Sequence, residues 1–110
     1  MKQGDIVVVT FPFSNLLQTK IRPAVVVCHT DDKHKDVVLC LISSVVPPKL
    51  NKREILLEPS SLNNLRSKSV IKVYRIATVQ QSKIISTIGL LSPAEFEDFI
   101  IAFQSLPQPK

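Results

Sequence analysis

The chain has 110 residues, 45% of them hydrophobic, which bounds it to one domain with a modest core. Its only glycines, Gly4 and Gly89, exclude a Gly-rich phosphate loop and the usual nucleotide-hydrolase and dinucleotide readings, and no apolar run reaches the ~18 residues that span a bilayer. The net charge of +5, spread along the chain rather than gathered in a tail, favours a polyanionic partner.

Residues 1–5 run straight into a strand without the shape of a signal peptide, so the chain reads as cytoplasmic. Residues 5–11 form the first expected strand, stopped by Pro12. Residues 13–21 read as a polar loop, and 23–29 as the second strand. Its entrance is Lys20-Ile21-Arg22-Pro23. Pro23 fixes its own φ and pushes Arg22 into an extended conformation, which aims the guanidinium. A planar fork of donors suits a phosphate; the plainer reading is a rim arginine paired with a surface carboxylate.

Residues 30–36 read as a charged, solvated turn, with His29 and His34 as surface polar groups in it. Residues 36–43 form a third strand, apolar enough to be covered on both faces. Cys28 and Cys40 lie inside apolar runs and read as reduced core thiols. A zinc site from Cys28, His29, His34 and Cys40 lacks paired ligand spacing. The next loop opens at Pro47-Pro48 and carries Lys49, Lys52 and Arg53, which either line a groove or form a solvated charged face. Further strands follow at 54–58, 69–77 and 84–90, with a Ser- and Asn-rich loop or turn of helix at 59–68.

One helix is expected at 93–105. Ser92 is a good N-cap, Pro93 suits the first helical position, and Glu95 completes a capping box. Phe96, Phe99, Ile100 and Phe103 recur at helical spacing and read as one core-facing stripe. Residues 107–110 read as a frayed tail. Six short strands and a terminal helix give a mainly β (α+β) class, as an antiparallel barrel-like sheet capped at one end. Open strand edges give dimerisation a physical motive.

The usual catalytic groups are scarce. There is no Glu-x-x-His pair for a metal, and no serine has the glycine flanks of a nucleophile elbow. RNA cleavage permits a leaner site, because the substrate's own 2′-OH can attack the adjacent phosphorus. The protein then has to position the strand and stabilise charge on the phosphoryl oxygens.

The run Gly4-Asp5-Ile6-Val7, then Phe11-Pro12-Phe13, a polar loop and Arg22-Pro23-Ala24-Val25-Val26-Val27 resembles the MazF/PemK/Kid toxin ribonucleases. The likeness continues through Asp36–Ser44, Lys68–Val73 and Ile88–Ser92, so it spans nearly the whole chain. The resemblance implies a small SH3-like barrel with a C-terminal helix, working as a homodimer.

It also implies a type II toxin that acts as a sequence-selective endoribonuclease without metal or cofactor. Such an enzyme leaves a 2′,3′-cyclic phosphate and a 5′-OH. Arg22 fits the role of stabilising charge on the phosphoryl oxygens. Ser43 stands where relatives place Thr or Ser; without the resemblance it reads as a strand end bonding its own backbone. Gln18, Thr19 and Lys20, with Lys49, Lys52 and Arg53, would border the RNA channel. The first loop, 14–20, has no glycine, where many relatives carry a Gly-rich one. The implied partners are single-stranded RNA, an antitoxin with a disordered acidic and apolar tail, and operator DNA contacted through the antitoxin. The alternative is a non-enzymatic module of the same fold, either a gyrase poison of the CcdB type or a degenerate toxin that only binds antitoxin.

Overall fold

A computed structural model describes residues 1–12 and 19–107. Six strands make one antiparallel sheet: β1 (Asp5–Pro12), β2 (Thr19–His29), β3 (Val37–Ser43), β4 (Glu54–Leu57), β5 (Ser69–Val79) and β6 (Ile84–Leu90). Their order across the sheet is β4-β5-β3-β2-β1-β6. Helix α1 spans Pro93–Gln104, and a 3-10 turn at Gln81–Lys83 leads into β6.

Central strands are apolar on both faces because each face has its own core. Ile6, Val25, Cys40, Ile42 and Ile71 face α1, where the fully buried Phe99 fills the centre. Val7, Val9, Ala24, Val26, Val37 and Leu39 form a second cluster on the other side. The alternation of these two sets along β1, β2 and β3 is the period-two pattern of a strand buried twice over. Phe96, Ile100 and Phe103 pack around Phe99 as one stripe. The capping box is formed: Ser92 Oγ accepts from Glu95 N at 3.2 Å, and Glu95 Oε1 accepts from Ser92 N at 2.8 Å.

The sheet is open, with β4 and β6 at its edges. The 58–68 loop spans the gap between them. Leu90 N donates to the Leu62 carbonyl at 3.1 Å, and Asn64 Nδ2 donates to the Ile88 carbonyl at 2.6 Å. Asn63, fully buried, holds that loop together. Its Oδ1 accepts from Ser60 N and Leu65 N, and its Nδ2 donates to the Glu58 carbonyl at 2.8 Å.

Several boundaries differ from those read in the sequence. β2 starts at Thr19, because its hairpin with β1 pairs Pro12 with Thr19 and Phe11 with Lys20. The strand therefore runs through Pro23, which stands opposite Val8. β5 continues to Val79 by pairing with Val37, while β2 ends at His29 as its sequence indicates. Cys28 is exposed and only Cys40 is buried. The register between β2 and β3 shifts after Val26, which breaks the alternation that would have taken Cys28 inward. Burial pushes the Cys40 thiol up to about 12. No helix among the described residues is long and apolar enough to cross a membrane.

Candidate nucleic-acid interface

β1, β2, the end of β3, the 64–67 segment and β5 enclose an open groove of about 1170 Å³. Among the described residues, its lining carries four cations, Arg22, Arg66, Lys72 and Arg75, and no carboxylate. With no acid to neutralise them, these charges sum to a positive field along the groove. The carboxylate nearest in register is Glu54, opposite Lys72 in β4. It is instead turned to the loop, where its Oε1 accepts from Asn51 N at 3.0 Å.

Register brings Arg22 and Ser43 together. β2 pairs Ala24 with Leu41 of β3. Two residues further along each antiparallel strand, on the same face, stand Arg22 and Ser43, and both line the groove. Arg22 is exposed, and one of its Nη atoms donates to the Ile21 carbonyl at 3.3 Å. That spends one of five donors and sets the fork on β2, opposite Val9. Ser43 Oγ accepts from Val45 N at 3.1 Å. This turn fixes the oxygen and leaves the hydroxyl proton free to donate. Ser44 also lines the groove, so it does not face away from Ser43's site as strand alternation alone suggests: β3 ends at Ser43 and the alternation stops there.

The other residues singled out in the sequence are placed differently. Lys20 is exposed on β2 opposite Phe11, Thr19 opens that strand, and Gln18 lies outside the described residues. Lys49, Lys52 and Arg53 do not line the groove. Lys49 and Lys52 are exposed in their loop. Arg53 straps that loop to the end of α1, with Nη2 donating to the Ser105 carbonyl at 2.7 Å and Nε to Ser105 Oγ at 3.3 Å. No three His, Cys, Asp or Glu side chains among the described residues are grouped to share a metal ion.

Sequence reasoning missed Arg66, Lys72 and Arg75. Lys72 had a visible signal. Along β5, Ile71 and Val73 turn into the core beside α1, which puts Lys72 on the opposite face. Arg66 had none, because its place depends on the fold of the Asn63 loop.

A model of the PemK-like, MazF-like toxins of type II toxin–antitoxin systems matches residues 2–106. No curated protein sequence matches the chain. Among solved structures, the Mycobacterium tuberculosis toxin MazF-mt6 superposes with a TM-score of 0.68 at 16% identity, covering 92% of this chain and 93% of that one. An endoribonuclease in complex with its cognate antitoxin, from a mycobacterial species, superposes with a TM-score of 0.71 at 14% identity, covering 100% and 98%. At such identities the likeness is one of fold. The family match covers nearly the whole length, and the chain belongs to the PemK-like, MazF-like toxins of type II toxin–antitoxin systems.

Proposed function

We propose that the chain is an endoribonuclease that cleaves single-stranded RNA in this groove. The observation that carries the reading is four cations without a carboxylate, arranged around the adjacent Arg22 and Ser43. A groove of that sign suits a phosphate backbone. In the reaction, the 2′-oxygen bonds to phosphorus and the bond from phosphorus to the 5′-oxygen breaks. The 2′-hydroxyl proton passes to water, and the leaving 5′-oxygen takes one up. Arg22 stabilises the charge that develops on the phosphoryl oxygens, and Ser43 donates its hydroxyl to the same phosphate. This route asks nothing of a metal, since the nucleophile belongs to the substrate.

The cellular partner is an antitoxin, as in the neighbouring mycobacterial complex. An acidic, disordered tail laid along the same cations would block RNA. The active unit is a homodimer in the cytoplasm, with operator DNA contacted through the antitoxin. A gyrase-type protein target gives no reason for a carboxylate-free cationic groove.

Purified protein mixed with RNA in EDTA tests the reading. The expected products carry a 2′,3′-cyclic phosphate and a 5′-OH. Products with a 5′-phosphate, or no cleavage of any RNA, contradict it.

A further inference from the structure

β5 leaves its ladder with β3 at one place. Cys40 pairs with Ile76, and the next residue, Leu41, pairs with Lys72, so Val73, Tyr74 and Arg75 have no partner in β3. Bulges beside functional sites re-aim side chains. Val73 is fully buried, its carbonyl accepts the Cys40 thiol at 3.3 Å, and its N–H donates to the Arg53 carbonyl at 3.1 Å. With Val73 anchored on both sides, Tyr74 and Arg75 are thrown outward.

Tyr74 is the chain's one tyrosine, and it is 43% exposed. The Arg75 guanidinium carbon lies 5.9 Å from the centre of its ring. Arg75 and Lys72, on either side of the ring in sequence, both line the groove, whereas Tyr74 itself is not part of the lining and stands beside it, against Arg75. An aromatic ring on a strand beside a cationic groove matches how single strands are held elsewhere: cations follow the phosphates while bases stack on the ring.

We infer that Tyr74 is a base-stacking residue at the rim of this groove and that the 73–75 bulge presents it. One base of the bound RNA lies on the Tyr74 ring, and Arg75 and Lys72 hold the phosphates beside it. The inference rests on the ribonuclease reading and adds how the strand is held next to Arg22. Tyr74 positions the strand and takes no part in the bond changes.

Short fluorescein-labelled 2′-O-methyl RNA of randomised sequence separates binding from catalysis, because its blocked 2′-oxygen cannot attack. Stacking is sequence-tolerant, so the random pool is a fair probe. Tyr74→Leu, which keeps an apolar side chain without a ring, should weaken binding about 5- to 150-fold. Tyr74→Phe and Tyr74→Trp should bind as the parent does. The slope of log affinity against log salt should be unchanged in Tyr74→Leu and shallower by about 0.7 in Arg75→Ala, for one lost phosphate contact. With cleavable RNA, Tyr74→Leu should raise KM and leave kcat in place.

Equal binding by the parent and Tyr74→Leu overturns the inference, as does an equal loss in Tyr74→Phe. A fall in oligomeric mass on Tyr74→Leu also overturns it, in favour of a protein interface. A parent protein that binds the blocked RNA through Tyr74 but cleaves no RNA upholds the stacking and refutes the ribonuclease reading. One that binds no RNA refutes both.

Discussion

Replacing Gly89 with alanine should unseat one wall of the groove. Gly89 lies in β6 directly under the 58–68 loop. A Cβ there would stand 2.7 Å from the Asn63 carbonyl oxygen and 2.8 Å from its carbon, with the Leu62 carbonyl oxygen closer still. These are backbone atoms and cannot swing aside, so the loop or the strand has to move. Overpacking of this kind costs about 1–3 kcal/mol. The shift also strains two hydrogen bonds, Leu90 N to the Leu62 carbonyl and Asn64 Nδ2 to the Ile88 carbonyl, each worth about 1 kcal/mol. Together the loss is about 3–5 kcal/mol, read as a lower urea midpoint with an unchanged slope. The same loop brings Arg66 to the groove, so RNA affinity should fall even where the variant stays folded. Gly4→Ala is the contrast. Its φ of 88° strains a side chain, and the added Cβ would meet Phe96 Cδ1 at 2.9 Å, far from the loop. Gly4→Ala should lose stability and keep its RNA affinity. A Gly89→Ala chain as stable as the parent would refute the claim that the loop is seated on β6.

The two cysteines should separate cleanly. Cys28 should react with a thiol reagent in the folded protein while Cys40 should not, as read by mass spectrometry of the labelled peptides. Cys40 also ties stability to pH: the folded thiol keeps its proton up to about 12, whereas the unfolded one releases it near 9.0. Above pH 9 the unfolded state binds fewer protons, so stability falls by about 1.4 kcal/mol per pH unit until the folded thiol titrates. Urea unfolding of Cys40→Ala beside the parent should show that slope missing in the variant. In the groove, Ser43→Ala should slow cleavage less than removal of the Arg22 guanidinium, because a neutral hydroxyl bond is weaker than a charge-assisted one. Arg66→Ala should weaken RNA binding more than Lys49→Ala or Lys52→Ala, since only Arg66 of the three lines the groove.

Much of the framework was written in local pattern. The apolar runs located every strand, and Ser92, Pro93 and Glu95 announced the helix start that the capping box realises. Arg22 was legible because Pro23 constrains it. What escaped reading depended on register. The start of β2 at Thr19 is set by the hairpin with β1, and the exposure of Cys28 follows from a bulge after Val26. Arg75 reaches the groove because β5 pairs with β3 across a break, a contact between segments about thirty residues apart in sequence. Arg53 looked like a groove cation from its neighbours Lys49 and Lys52, yet the end of α1 claims it. Charge in a loop says nothing of which backbone carbonyl it will meet.

Single-turnover cleavage of RNA by Arg22→Ala tests the catalytic claim most directly. The side chain is exposed on β2, so the variant should fold as the parent does, checked by its melting curve. Removing a preorganised donor to a developing oxyanion should slow cleavage by about 10²- to 10³-fold. Arg22→Lys should recover little of that, because lysine keeps the charge and loses the planar fork. An Arg22→Ala protein that is folded and cuts RNA at the parent's rate would contradict the account and reduce Arg22 to a charge on the rim.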